Sequence, residues 1–261
     1  MQKRHADKQQ YFNEQAISTE RYVIPFIETY RSISAGTRVL EIGCGEAGNL
    51  KPFLEMGCIC TGIDYSEGKI EKAKEFYAEH LSKKNISLLV QDIYNVKDFD
   101  ETFDVLIIRD VIEHIHNQER FLQFVKPFMH ANSVVFIAFP PWQNPFGGHQ
   151  QICRGKILSM FPYIHLLPKS IYKSLLKVAG ESDATIESLL EIKETGISTE
   201  RFEKIVSRTN YKILKEQYFL VNPTYEVKFG LHPRKLLGIF RSIRYFRNFV
   251  TTGVYFLIQK K

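Results

Sequence analysis

The sequence is poor in cysteine and tryptophan, with four and one of these residues among 261, and it has no internal repeat or low-complexity tract. Cys44, Cys58, Cys60 and Cys153 are too few and too irregularly spaced for a disulfide framework or a zinc site. His149 and Cys153 have helical spacing, but two such residues without neighbouring carboxylates make a weak metal site. We therefore predict neither disulfides nor a bound metal.

Long apolar runs are also missing, since no stretch of about 18 apolar residues suggests a membrane span. The N-terminal segment MQKRHADKQQYFNEQ is polar and lacks the apolar core of a secretion signal. These absences predict a cytoplasmic protein. The hydrophobic content of 44% is enough for a substantial core, and one large α/β domain with an insertion is the simplest arrangement. The net charge of +6 is moderate, so its location matters more than its size.

A glycine-rich turn dominates the first third of the chain. The short apolar run 39–42 ends at the turn 43–48, which reads GCGEAG, and apolar residues in 49–56 then recur with helical spacing. A second predicted strand, 58–63, carries Asp64 at its tip. This order of strand, turn, helix and strand is typical of a nucleotide-binding βαβ unit in which an acid binds a ribose.

The glycine pattern alone fits a dinucleotide as well, because Gly43, Gly45 and Gly48 match G-x-G-x-x-G. Glu41 is the residue that separates the alternatives. A carboxylate beside the turn would repel a pyrophosphate, whereas it suits a cofactor without phosphate and with a cationic tail. Glu41 therefore favours S-adenosylmethionine over a nicotinamide dinucleotide.

Four segments occur in the order of the first four motifs of a known superfamily: VLEIGCGEAGNL, CTGIDYS, VQDI and FDVLIIRDVIEHI. On these the chain resembles class I S-adenosylmethionine-dependent methyltransferases from about residue 38 to residue 115. DVIEHI is similar to the segment of ubiquinone-biosynthesis-type small-molecule methyltransferases. The resemblance implies a Rossmann-like, mostly parallel sheet of seven strands with the last strand antiparallel, and helices on both faces.

The resemblance also implies cofactor contacts at the motif residues. It places Asp92 where a carboxylate accepts from the adenine amino group, Ile93 where a backbone N–H meets the ring, and Asp110 near the methionine or the reacting methyl group. The structural alternative for Asp92 is a helix cap. The full predicted set for S-adenosyl-L-methionine is Glu41, Gly43, Gly45, Asp64, Tyr65, Asp92, Ile93 and Asp110.

The predicted domain organisation has three parts. Residues 1–34 form an N-terminal helical cap broken near Pro25, and residues 35–150 with 210–261 form the cofactor-binding domain. Residues 151–209, rich in apolar groups, form a helical insertion after the fifth strand. We expect it to roof an acceptor pocket, with a dimer contact as the alternative.

The loop 140–150, PPWQNPFGGHQ, follows the fifth strand at the edge where ligands bind. Its Trp142 and Phe146 are candidates for an apolar wall. His149 is the candidate general base, since a hydroxyl acceptor must lose a proton as it attacks; a purely structural hydrogen bond is the alternative. His114 is expected to pack or cap. Arg109 is expected on the rim, either binding an acidic substrate or simply exposed.

The predicted function is methyl transfer from S-adenosylmethionine to a small, partly apolar or aromatic acceptor, most simply at oxygen. The alternatives are an NAD(P)-dependent oxidoreductase and a non-catalytic cofactor-binding module. Residues 233–250 predict a basic amphipathic helix that either faces the core or contacts an anionic membrane. A homodimer is a further expectation. Nucleic acid is not expected as a partner, because the basic residues form one short cluster without a reading module.

Overall fold

One sheet of eight strands forms the centre of the computed structural model, which describes residues 7–96, 99 and 101–261. The strands in chain order are β1 (Arg38–Ile42), β2 (Ile59–Asp64), β3 (Ile86–Val90), β4 (Phe103–Arg109), β5 (Met129–Phe139), β6 (Tyr211–Val221), β7 (Arg234–Lys235) and β8 (Gly253–Lys260).

The strand order across the sheet is β3-β2-β1-β4-β5-β8-β6-β7. Strands β1 to β5 pair in parallel, and β8 is antiparallel to both of its neighbours, β5 and β6. The predicted mostly parallel sheet with a final antiparallel strand is therefore confirmed. The sheet has eight strands rather than seven, because Arg234 and Lys235 add a two-residue edge strand to β6.

The described residues form twelve α-helices. They are α1 (Lys8–Ser18), α2 (Ile24–Glu28), α3 (Lys51–Glu55), α4 (Glu67–Tyr77), α5 (Gln118–Phe124), α6 (Lys156–Met160), α7 (Lys169–Val178), α8 (Asp183–Thr195), α9 (Thr199–Arg208), α10 (Thr224–Phe229), α11 (Gly238–Ser242) and α12 (Arg247–Val250). No described helix combines the length and the apolar character that a membrane crossing requires.

The core lies on both faces of the sheet because side chains of a strand alternate between its faces. In β4, Leu106 and Ile108 pack in one cluster with α5 and α9, and Val105 and Ile107 pack in the other cluster with α3 and α4. The insertion has a separate small core. Its members come from α6, α7 and α8 and their connections: Cys153, Leu158, Ile164, Tyr172, Leu176, Ile186, Leu189 and Leu190.

Two helix predictions differ from the structure. The N-terminal helix does not break at Pro25, because a π-helical turn at Thr19–Val23 leads into α2, where Pro25 lies in the first turn and needs no hydrogen-bond partner. The predicted helix 233–250 is wrong. It is replaced by the edge strand β7 and the short helices α11 and α12, with Arg247 and Asn248 buried and Ile239 70% exposed.

Candidate active site

The glycine-rich turn joins β1 to a 3-10 turn at Gly48–Leu50, and its backbone requires glycine at two points. Gly43 and Gly45 have φ values of 71° and 55°, in the left-handed region. Gly48 is needed for a different reason, since a Cβ there would lie 2.5 Å from the carbonyl oxygen of Phe12 in α1. The turn therefore lies directly beneath the N-terminal helix.

Asp64 is fixed by the same turn. Its Oδ2 accepts from the Gly45 N–H at 2.9 Å and its Oδ1 accepts from the Ser66 N–H at 2.9 Å. The side chain is only 5% exposed, yet it lines a cavity at the carboxyl edge of the sheet. Two backbone donors thus orient a carboxylate at the carboxyl end of β2, where the sequence predicts a ribose contact.

Glu41 is buried behind the turn, with 1% of its surface exposed. Its Oε1 accepts a hydrogen bond of 2.6 Å from Asn49 Nδ2, and its Oε2 has no partner among the described residues. Burial raises the pKa of this carboxyl to about 8. Glu41 is therefore largely uncharged at neutral pH, and repulsion of a pyrophosphate is not what selects the cofactor here.

Arg109 occupies a position that differs from both of its expected roles. The side chain is buried, and its guanidinium donates to Asn49 Oδ1 at 2.9 Å and to Thr19 Oγ1 at 3.1 Å. It also donates to Ser18 Oγ at 2.9 Å. The prediction of a rim arginine is wrong, because the guanidinium ties the end of β4 to the N-terminal cap.

A cavity of about 590 Å³ lies at the carboxyl edge of β1 to β4, where an open α/β sheet places its ligand. Six of the eight predicted cofactor residues line it: Gly43, Asp64, Tyr65, Asp92, Ile93 and Asp110. Lys69 from α4 and Tyr94 line the same space. The structure thus brings most of the predicted set to one cavity, and Glu41 and Gly45 stand behind it.

Asp92 begins a 3-10 turn, Ile93–Asn95, and its Oδ1 accepts from the Tyr94 N–H at 2.9 Å. The carboxylate is exposed to the cavity, so its second oxygen remains available as an acceptor. The two alternatives raised for Asp92, helix cap and adenine contact, are therefore compatible. Each uses a different oxygen of the same carboxylate.

The insertion contributes Ser188, Glu191 and Ile192 of α8 to the cavity wall. Trp142 plays a different part from the one expected. Its carbonyl oxygen lies 2.7 Å from His165 Nε2, and a Cβ on Gly196 would lie 2.6 Å from its ring. Trp142 therefore joins the 140–150 loop to the insertion, instead of forming a wall of the cavity.

The rings of two histidines, His114 and His149, are in contact, but His149 is not among the described residues that line the cavity. His114 lines the cavity, and its ring centroid lies 5.1 Å from that of His149. His149 is half-buried, in the left-handed region with φ 55°. Burial lowers the pKa of His149 to about 4 and also lowers the pKa of His114. Both imidazoles are therefore neutral at pH 7.

Glu113 completes this cluster, and the sequence analysis missed it. Ligand atoms of Glu113, His114 and His149 lie within 4.8 Å of one another, a set that suits a metal ion. Glu113 is 3% exposed, and neither carboxylate oxygen has a hydrogen-bond partner among the described residues. Burial and the charge of Asp110 raise the pKa of Glu113 well above its usual value. The E-H pair within DVIEHI was the available clue.

Comparison with known proteins agrees with this geometry. A family model described as a methyltransferase domain matches residues 33–177. The ubiquinone biosynthesis O-methyltransferase of Bartonella bacilliformis is 25% identical over 169 residues, which cover 63% of this chain and 64% of that protein. An (S)-tetrahydroprotoberberine N-methyltransferase of Eschscholzia californica is 29% identical over 107 residues, which cover 40% of this chain and 30% of that protein. The chain thus spans less than two thirds of each relative.

The fold has matching solved structures. Geranyl diphosphate C-methyltransferase from Streptomyces coelicolor A3(2), in complex with Mg²⁺, geranyl diphosphate and S-adenosyl-L-homocysteine, aligns with a TM-score of 0.58 at 12% identity, covering 93% of this chain and 79% of that one. The family match supports S-adenosyl-L-methionine as the cofactor. Because the family model covers more than half of the 261 residues, the chain belongs to this family of S-adenosylmethionine-dependent methyltransferases.

Proposed function

We propose that the protein transfers the methyl group of S-adenosyl-L-methionine to an oxygen of a small, partly apolar or aromatic molecule. One observation carries this proposal: predicted cofactor residues on β2, β3 and β4 share a single cavity with His114 and with α8 of the insertion. Donor and acceptor can therefore meet in one space of about 590 Å³, within the range of small-molecule sites.

The residues of the cavity fit the proposed cofactor. Asp64 is held rigid by two backbone N–H groups and offers carboxylate lone pairs for a ribose hydroxyl. Asp92 offers an acceptor to an exocyclic amine, beside the apolar side chain of Ile93. When bound, S-adenosylmethionine supplies an electrophilic methyl group on a sulfonium. The protein then needs to align the acceptor, exclude water and remove a proton.

His149 is our candidate for proton removal. Its low pKa keeps the imidazole neutral at pH 7, so that a ring nitrogen can accept a proton from an attacking hydroxyl, although it is a weaker base there than an ordinary histidine. His114, 5.1 Å away between ring centroids, lines the cavity next to it and would orient the acceptor. A hydroxyl must lose a proton when it is methylated, so methylation at oxygen needs a general base. An amine that is already present as the free base needs one less.

The second candidate mechanism is cation-assisted transfer. It is favoured by the two unpartnered oxygens of Glu113, which a divalent cation between Glu113, His114 and His149 would satisfy. In that case His149 acts as a ligand and not as the base. The acceptor hydroxyl would lose its proton more easily because the cation stabilises the oxyanion.

Titration calorimetry tests the cofactor, and product analysis tests the reaction. We expect the purified protein to bind S-adenosylmethionine and S-adenosylhomocysteine, and NAD⁺ at least a hundredfold more weakly. A screen of cell extracts with labelled donor, read by mass spectrometry, should then show a product with one added methyl group. Tight binding of NAD⁺ alone would refute the proposal, whereas cofactor binding without any product would identify a non-catalytic binding module.

The roof formed by residues 151–209 is also a proposal. It is supported by Ser188, Glu191 and Ile192 in the cavity wall and by the separate core of the insertion. The homodimer and the membrane contact predicted from the sequence stay predictions.

A further inference from the structure

The insertion and the segment after β7 expose an unusual number of large apolar side chains. Ile157, Met160 and Ile239 are 82%, 73% and 70% exposed. We call the whole set the basic apolar surface. It comprises Ile157, Met160, Phe161, Tyr163, Leu237, Ile239, Phe240, Ile243, Tyr245, Phe246 and Phe249, each at least 37% exposed.

The two halves of this surface are in contact. The Tyr163 hydroxyl donates to the carbonyl oxygen of Phe249 at 3.2 Å, and their ring centroids are 6.3 Å apart. Within the second half, the Phe246 and Phe240 ring centroids are 6.4 Å apart. These contacts join the insertion half of the surface to the 237–249 half, although the two lie about eighty residues apart in the sequence. A patch of this kind marks an interaction site.

The two chain segments that carry the patch have basic but no acidic side chains. Residues 151–180 and 227–261 contain no Asp or Glu. Arg234, Lys235 and Arg244 are exposed, and none of them has an ion-pair partner among the described residues. Arg241 and Arg247, in contrast, are paired with Glu216 and Glu200. Three basic side chains without an ion-pair partner among the described residues therefore lie in or next to the exposed apolar segment 237–249, beside basic residues that Glu200 and Glu216 neutralise.

We propose that the basic apolar surface binds an anionic lipid bilayer. Exposed aliphatic and aromatic side chains insert at the boundary between headgroups and acyl chains, while lysine and arginine attract anionic headgroups. Nucleic acid would complement the charge but would leave Ile157, Met160 and Ile239 in water. An anionic lipid bilayer complements both the exposed apolar side chains and the positive charge of the surface.

The basic apolar surface is connected to the cavity through the helices of the insertion. Helices α6 and α7 share a core with one side of α8, and Ser188, Glu191 and Ile192 of α8 line the cavity. Docking at the bilayer would thus bring the cavity wall close to lipid. That an apolar acceptor reaches the cavity from the bilayer rests on the proposed function, whereas lipid binding itself does not.

Vesicle co-sedimentation of the full chain tests the proposal. The vesicles consist of phosphatidylcholine alone, or of phosphatidylcholine with about a third phosphatidylglycerol. We expect binding to the anionic vesicles to be at least tenfold tighter, and to weaken with salt. Absence of binding to the anionic vesicles, or equal binding to both compositions, would overturn it.

Two paired variants separate the apolar and charged contributions. We expect I239S with F240S, and R234Q with K235Q, each to weaken binding to anionic vesicles about tenfold or more, at roughly a factor of five per lost charge or buried side chain. The matched control is K74Q with K84Q, which removes two exposed charges near the β3 edge, opposite β7. It should bind within twofold of the original protein, and an equal loss in this control would refute a specific surface.

Two further measurements distinguish a loss of lipid binding from misfolding and from a change in oligomeric state. All variants should bind S-adenosylhomocysteine as the original does, which shows that they are folded and tests the cofactor site independently. If size-exclusion chromatography shows that I239S with F240S converts a dimer into a monomer, and no variant changes vesicle binding, a second copy of the chain covers the surface and the lipid proposal fails.

Discussion

Asn49 donates a hydrogen bond of 2.6 Å to the buried carboxyl of Glu41, and its side-chain oxygen accepts one of 2.9 Å from Arg109. Since Thr19 Oγ1 also lies 2.9 Å from that oxygen, one amide joins the end of β1, the end of β4 and the N-terminal cap. The three elements that enclose the cofactor turn are thereby held together through buried polar groups.

Replacing Asn49 by Ala should therefore destabilise the fold. We expect the free energy of unfolding to fall by about 2–3 kcal/mol, because the partners Glu41 and Arg109 lose buried hydrogen bonds. Denaturant titration measures this. N85A, at an exposed position before β3, is the matched control and should change the stability by less than about 0.5 kcal/mol. Equal effects of the two variants would contradict the role of the network.

The raised pKa of Glu41 predicts a pH dependence of stability. Its folded-state pKa is about 8, above the ordinary value of 4.5, so the folded protein binds the proton more tightly than the unfolded chain. The stability due to this group is full below pH 4.5 and is lost as the pH rises towards 8. The loss is at most about 1.4 kcal/mol per pH unit.

E41Q cannot titrate at this position. We expect unfolding curves of the original protein, but not of E41Q, to show this decline between pH 5 and pH 8, so that the stability of the original protein minus that of E41Q falls as the pH rises. A constant difference over the range would mean that Glu41 is already ionised in the folded protein.

Asp92 offers a test that separates its two roles. In D92N the side-chain oxygen still caps Tyr94, but an amide NH₂ replaces the second oxygen and faces the adenine amino group with a donor. We expect the affinity for S-adenosylhomocysteine to fall about tenfold or more, with stability unchanged within about 0.5 kcal/mol. D183N, on α8, is the control. If D92N binds S-adenosylhomocysteine as tightly as the original protein, Asp92 acts only as a helix cap and does not contact the cofactor.

His149 should control the rate and not cofactor affinity. H149N removes the proton acceptor, and we expect kcat to fall by a factor of about 10² or more while the affinity for S-adenosylhomocysteine changes little. Because the pKa of His149 is about 4, the original protein should keep its rate from pH 8 down to about pH 5. H116N, at an exposed histidine, should be as active as the original. If H149N turns over as fast as the original protein at every pH, His149 is not the general base.

Chelation distinguishes the base from the cation. If His149 acts as the base, treatment with EDTA should leave activity unchanged, and Mn²⁺ should not raise the melting temperature. If Glu113, His114 and His149 hold a cation, EDTA should abolish activity, and Mn²⁺ should raise the melting temperature of the original protein but not of E113Q. The melting readout does not depend on knowing the acceptor.

The cofactor fold was predictable because its determinants are local. The glycines at 43 and 45, the apolar strands and the acids at strand ends are local features of this unit, and the structure confirms the mostly parallel sheet that they predicted. Glu41 shows the limit of such reasoning. Its spacing favoured the right cofactor, but whether its carboxyl is charged depends on burial, which the sequence does not show.

The sequence by itself predicted the parallel strands β1 to β5, the position of the glycine-rich turn and six of the residues that line the cavity, and its resemblance to a known superfamily implied the antiparallel final strand. Tertiary structure alone decided that Arg109 is buried in the cap network, that Trp142 holds the insertion, that Glu113 meets His149, and that 233–250 exposes its apolar residues. The physical reason is that periodicity reports which side chains share a face of one element. Which elements cover that face is set by contacts between segments far apart in the chain.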